Sequence, residues 1–352
     1  WPDPWPPSPL QLPLMALISF GSRAMVGAAL GLVGLSGCGV SPGGGASQIL
    51  QAAGASFPAG LYQRWFADLA AKERIRVNYQ SVGSGAGVRQ FEAGTVDFAA
   101  SDKPLDAGEA AKVQRGVVQL PLTAGAIAVA YNLPGCSLKL SQAQLVQIFE
   151  GKITNFQELG CANQPIQVVV RSDGSGTTYN FTNSLAAFSP SWKNGPGVGK
   201  SVNWPTGVGA KGNEGVAASM LQTKGSIGYV EAAYVRGVLQ AAAIANRSGS
   251  FALPDAAAAS QALATIDLGD DLTGSDPNPS AGYPIVTFTW VLLYRSGNGA
   301  KLAALQRTIN YALSDGAQRQ APGLGYIPLP AGVVTKARQP WPAWEPEARP
   351  PF

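Results

Sequence analysis

From residue 49 to residue 334, short apolar runs end in polar, glycine-containing turns, and most of these turns open a segment whose apolar residues recur three and four positions apart. Ile49 to Ala53 predicts a strand running into Ser56, after which Leu61, Tyr62, Trp65, Phe66 and Leu69 fall on one helical face. Ser56 suits the N-cap of that helix, and Pro58 suits its first turn, where a missing N–H costs nothing. The pattern then repeats. Arg76 to Gln80 reads as a strand, Gly83 to Gly87 as a glycine turn and Val88 to Glu92 as the start of a helix. Thr95 to Ala100 reads as a third strand, with Ser101 and Asp102 at its carboxyl end.

Val117 to Tyr131 is almost wholly apolar, broken by Pro121, Thr123 and Gly125, and is a natural place for the chain to cross between two lobes. Beyond it come a helix around Ser141 to Glu150, a β-branched run Val168-Val169-Val170-Arg171, and the turn Ser172-Asp173-Gly174-Ser175-Gly176-Thr177-Thr178. That turn opens a helix carrying Tyr179, Phe181 and Leu185. Gly212-Asn213-Glu214-Gly215 reads as a further turn into a helix that ends near Met220, followed by a buried strand from Gly225 to Val230. Tyr283 to Leu293 is a long β-rich run that we read as the crossing back, and a last helix spans Lys301 to Ser314. Alternation of this kind predicts α/β lobes, which bind ligands outside the carboxyl ends of their strands.

The turn at 171–178 has the chemistry of an anion cradle. A helix start presents unpaired N–H groups and the positive end of its dipole. Ser175 and Thr177 add hydroxyls, Arg171 adds a cation, and Gly174 and Gly176 let the backbone approach a ligand. An ordinary capped loop has the same sequence features. What favours the anion is repetition, since Ser56, Ser84 and Ser175/Thr177 each bring a hydroxyl to a helix opening. Neither nucleotide motif fits: the third glycine of Gly83-Ser84-Gly85-Ala86-Gly87 comes one residue early for a dinucleotide fingerprint, and Ser175-Gly176-Thr177 lacks the Walker lysine.

Composition narrows the field. Charged residues make up 13% of the 352, about half the usual share, and the 43 glycines point to tight turns and close packing. The net charge of +4 persists from Cys38 onward, because Asp3 and Arg23 cancel. With no basic stripe, nucleic acid is not an expected partner. Histidine is absent, which removes the Ser-His-Asp triad and most zinc sites. No metal and no cofactor are expected.

Residues 15–38 read as an export signal, with Met15 as the start, Arg23 as the basic part, Ala24 to Leu35 as the apolar part and Leu35-Ser36-Gly37-Cys38 at its end. Those four residues resemble the lipobox of bacterial lipoproteins, in which the cysteine is lipidated. The alternative is an ordinary signal peptide with an incidental cysteine. After export, Cys136 and Cys161 would meet an oxidising compartment, where a disulfide is favoured over two buried free thiols.

Taken as a set, Ala53-Gly54-Ala55-Ser56-Phe57-Pro58, Val77-Asn78-Tyr79-Gln80 with Gly83-Ser84, Val96-Asp97-Phe98 with Ala100-Ser101-Asp102, Arg171 to Thr177, and Gly225 to Tyr229 resemble the periplasmic phosphate-binding proteins of Pst-type ABC transporters. The resemblance covers roughly residues 49–336. It implies a two-lobed, type II venus-flytrap fold with phosphate buried between the lobes. Carried over by motif, the ligands would be Ser56, the Phe57 N–H, Ser84, Asp102, Arg171, Ser175, the Gly176 N–H and Thr177, with Asp173 pairing Arg171 and holding its fork. Two departures are small: Ser56 stands where the family often has Thr, and Gly85-Ala86-Gly87 where it often has Ser-Gly-Gly.

The expected organisation is an upstream extension and lipoprotein signal over 1–37, a tether over 38–48, lobe I over 49–124 and 286–338, lobe II over 125–285, and a disordered tail over 339–352. The function implied is capture of inorganic phosphate and delivery to the permease subunits of an ABC transporter, by a monomer held to the outer face of the cytoplasmic membrane through Cys38. An ionised Asp102 would accept the proton that phosphate keeps and sulfate lacks, which gives selectivity. The competing readings are an exported phosphatase-like enzyme and a binding protein for another oxyanion.

Overall fold

The computed structural model describes residues 48–338, so the export signal, Cys38, nearly all of the tether and the tail lie outside the described residues. The strands, in chain order, are β1 (Gln48–Gly54), β2 (Ile75–Ser81), β3 (Phe98–Ser101), β4 (Val117–Tyr131), β5 (Lys139–Leu140), β6 (Gln167–Arg171), β7 (Val208–Ala210), β8 (Ser226–Glu231), β9 (Gln240–Ala241), β10 (Ala243–Ala245), β11 (Phe251–Ala252) and β12 (Val286–Tyr294). The helices that bear on function are α1 (Ala59–Glu73), α2 (Ser84–Glu92), α3 (Ala107–Ala110), α4 (Gln142–Phe149), α5 (Gly176–Phe188), α6 (Pro190–Asn194) and α7 (Gly212–Gln222).

Nine strands form one continuous sheet in the order β2-β1-β3-β12-β4-β8-β6-β7, with β9 paired to β4. The long strand β4 is what joins its halves. Val117 to Ala126 pair with β12, and Ile127 to Tyr131 pair with β8, so the partner changes between Ala126 and Ile127. This is the crossing that the apolar run suggested, and β12 runs antiparallel beside it as the return. The register slips between Thr289 and Trp290, opposite Pro121, whose missing N–H suits an interruption of the ladder.

Helices cover both halves. In the first, α1 packs on β2, and α2 on β1 and β3; in the second, α7 packs on β6 and β8. Val88 and Phe91 of α2 bury against Ala53, Ala99, Leu292 and Tyr294, and the Phe91 ring stacks on Tyr294 with centroids 4.0 Å apart. On the other side Val216, Ala217 and Met220 of α7 bury against Val169 and Val230. Cys136 and Cys161 are joined as a disulfide with their Cα atoms 5.6 Å apart.

Three local expectations are corrected. First, α2 begins at Ser84 and not at Val88, so the glycine turn is already helix. The reason is close approach: a Cβ on Gly87 would lie 2.4 Å from the Gly54 Cα, and Gly83, at φ 87°, makes the bend that precedes the helix. Second, Ser56 does not cap α1. The residue before that helix is Pro58, with no side-chain cap, and the Ser56 hydroxyl is engaged elsewhere. Third, the first strand starts at Gln48, which pairs with Ile75 and so takes one residue from the expected tether.

Candidate functional site

Four strand ends deliver the predicted residues to one buried place. Ser56 and Phe57 follow β1, Ser84 opens α2 after β2, and Asp102 follows β3. From the other half, Arg171 ends β6, Ser175 caps α5 and Gly176 and Thr177 begin it. Ser56, Phe57, Ser84, Asp102, Arg171, Ser175 and Thr177 all have less than a twentieth of their surface exposed.

The two halves touch through these residues. Gly85 N–H donates to the Gly174 carbonyl at 2.7 Å, and Asn180 Nδ2 donates to the Asp102 carbonyl at 2.7 Å. Gly176 faces Ser84 and Asp102 so closely that a Cβ there would lie 2.6 Å from Ser84 Oγ and 2.8 Å from the Asp102 backbone nitrogen. At the rim, Lys200 Nζ bonds Glu109 Oε1 at 2.8 Å, while the Lys200 carbonyl accepts from Ser175 N–H at 2.8 Å.

Arg171 is pinned as a fork. Asp173 accepts from its Nε at 2.7 Å and from a terminal nitrogen at 2.5 Å. The Gly212 N–H, at the start of α7, donates to Asp173 Oδ1 at 3.0 Å. Burial alone would push Asp173 upward, but the Arg171 bonds and charge hold its carboxyl below the usual carboxylate value. Burial likewise opposes the Arg171 charge, and Asp173 more than offsets it, so that the guanidinium stays charged. The other terminal nitrogen is left to face Thr177 Oγ1 at 3.3 Å.

Asp102 is the exception among the charges. Its burial raises the carboxyl from 3.8 to about 7, against the lowering effects of the Thr289 hydroxyl, the Arg171 charge and the Thr177 hydroxyl. Thr289 Oγ1 donates to Oδ1 at 2.6 Å, and Thr177 Oγ1 lies 3.4 Å from Oδ2.

Every hydroxyl of the set already accepts an N–H. Ser84 Oγ accepts from Asp102 N at 3.3 Å, Ser175 Oγ from Thr178 N at 3.0 Å, Ser56 Oγ from Asn213 and Thr177 Oγ1 from Arg171. The protons of Ser56, Ser84 and Ser175 are therefore available as donors, and that of Thr177 is directed to Asp102 Oδ2. Together with the starts of α2 and α5, the place is rich in donors and carries one carboxylate acceptor, an arrangement suited to a small oxyanion that retains one proton. Among the described residues no group of three or more Cys, Asp or Glu could hold a metal ion.

Two participants escaped the sequence reading. The sequence places Asn213 in a turn and Thr289 in a long β-rich run. Thr289 could have been found, because Thr287 and Thr289 alternate on one face of an otherwise apolar run, and a buried hydroxyl there needs a partner. Asn213 carries no such signal, because its partners are set by the folding of distant segments.

A family model described as a PBP superfamily domain matches residues 39–315. The phosphate-binding protein PstS of Haemophilus influenzae is 41% identical over 308 residues, covering 82% of this chain and 91% of the relative. The phosphate-binding protein PstS of Xylella fastidiosa is 38% identical over 311 residues, covering 83% and 84%. Among solved structures, a high-affinity periplasmic phosphate-binding protein (PfluDING) bound with phosphate superimposes with a TM-score of 0.71 at 22% identity, over 83% of this chain and 93% of that one. The shared sheet with its flanking helices, the site at the strand ends and these similarities agree: the chain has the two-lobed, type II periplasmic-binding-protein fold and belongs to the PBP superfamily, in the family of the PstS phosphate-binding proteins.

Proposed function

We propose that the cleft binds inorganic phosphate and that the chain delivers it to the permease of a phosphate ABC transporter. The ligand set is Ser56, the Phe57 N–H, Ser84, Asp102, Arg171, Ser175, the Gly176 N–H and Thr177, with Asp173 holding the Arg171 fork. Lobe I comprises 49–124 and 286–338 and lobe II 125–285, a division supported by the change of partner along β4. Cys38 is the lipid-bearing residue that keeps the monomer at the outer face of the membrane.

The observation that carries the reading is a buried carboxylate, Asp102, facing a set of donors from both halves. Phosphate offers oxygens to the donors and one O–H to the carboxylate, so every group is satisfied. Sulfate offers lone pairs to Asp102, and an unmatched buried charge costs ~3 kcal/mol or more. The chain acts as a binding protein and not as an enzyme. Lobe closure supplies the signal, since Asp102 and Thr177 meet only when the halves meet. Calorimetric titration of the mature protein with phosphate, arsenate and sulfate tests this. Phosphate and arsenate should bind and sulfate should bind far more weakly; comparable sulfate affinity would sink the selectivity and favour a general oxyanion binder.

A further inference from the structure

Asn213, the second residue of α7, is fully buried, and its side-chain amide lies between the two halves of the cleft. Its Oδ1 accepts from the Glu231 backbone N–H at 2.9 Å, which fixes the amide orientation and turns Nδ2 the opposite way. Nδ2 donates to Ser56 Oγ at 2.9 Å and to Thr177 Oγ1 at 3.2 Å. The Asn213 backbone N–H also donates to Ser56 Oγ, at 3.0 Å.

A hydroxyl has two lone pairs and one proton. Asn213 occupies both lone pairs of Ser56, so the Ser56 proton must point elsewhere. Thr177 accepts from Asn213 and from Arg171 at 3.3 Å, which leaves its proton to point toward Asp102 Oδ2, 3.4 Å away. The geometry points to Asn213 as the positioning residue that sets both protons, so that Ser56 meets an oxyanion as a fixed donor while the Thr177 proton is held on Asp102, and neither hydroxyl is a rotor that can turn a lone pair to the ligand. The inference rests on the phosphate reading of the cleft. Glu231, which holds Asn213, pairs with Ile127 where β4 changes partners, so the amide is referred to the crossing strand and not to a loop. Fixing donors before the ligand arrives removes an ordering cost from binding.

The test is titration of wild-type, Asn213→Ala and Asn213→Asp proteins with inorganic phosphate, with melting temperatures taken in its absence. Asn213→Ala should weaken phosphate about tenfold to a hundredfold. Asn213→Asp is nearly isosteric and keeps the Glu231 bond, but its carboxylate would accept from both hydroxyls, drawing the Ser56 proton away from the anion and the Thr177 proton away from Asp102, so it should bind more weakly than the alanine variant. A residue that served only to fill space would give the reverse order. Asn213→Asp binding phosphate as well as the alanine variant, or either variant within threefold of wild type, would overturn the assignment. Wild-type protein that takes up no phosphate would instead remove the function on which it rests.

Discussion

Thr289, on the strand that returns between the lobes, donates its hydroxyl to Asp102 Oδ1 at 2.6 Å. This bond favours the ionised form of a carboxyl that burial drives the other way. Thr289→Val should raise the Asp102 carboxyl above its wild-type value of about 7. Phosphate affinity near neutral pH should fall by about tenfold and recover toward pH 9. A titration series across pH checks this, and a pH-independent loss would assign Thr289 to packing alone.

Asp102 should also cost the unliganded protein stability. Its folded value of about 7 lies above the ordinary 3.8, so the folded state binds the proton more tightly than the unfolded chain does. The penalty is absent below about pH 4, grows as pH rises to about 7, and is constant above. Asp102→Asn should therefore be more stable to unfolding than wild type near pH 8, by up to ~4 kcal/mol, with the gap closing near pH 4. Denaturant unfolding of both proteins without phosphate reads the difference.

The same titration bears on selectivity. Once protonated, Asp102 becomes a donor, and the mismatch with sulfate disappears. The ratio of phosphate to sulfate affinity should fall as pH drops through about 7, and Asp102→Asn should show a low ratio at every pH. Competition calorimetry with both anions measures it. An unchanged ratio in Asp102→Asn would refute the role given to the carboxylate.

Gly176 tests closure. A Cβ there would lie 2.6 Å from Ser84 Oγ and 2.8 Å from the Asp102 Cβ, both across the cleft. Gly176→Ala suits the first turn of α5 and should leave folding intact. It should keep the halves apart and weaken phosphate by roughly a hundredfold. Small-angle scattering with saturating phosphate should show wild type more compact than the variant.

The Cys136–Cys161 disulfide joins positions 25 residues apart, both beyond the end of β4 in the chain. Its reduction should cost ~3 kcal/mol through loop entropy. The melting temperature should drop by roughly 6–10 °C, with phosphate affinity at room temperature unchanged. Loss of binding on reduction would mean that the second lobe depends on the bridge for its shape.

What the sequence determined alone is what local chemistry can encode. The alternation of apolar run, glycine turn and amphipathic segment specified α/β halves, and the hydroxyl at each helix opening specified where an anion could sit. The Ser175 cap lies within a few residues and is legible in the same way, while the hold of Asp173 on Arg171, equally local, came from the family resemblance. The tertiary structure decided everything that depends on distant segments meeting. Ser56 has the residue type of a cap, yet its hydroxyl answers to Asn213, 157 positions away, because the two halves close over it. The value of Asp102 was equally invisible, since a carboxyl at a strand end is ionised in water. Only its burial in the folded chain moves it to about 7, against the opposing bond from Thr289, 187 positions on.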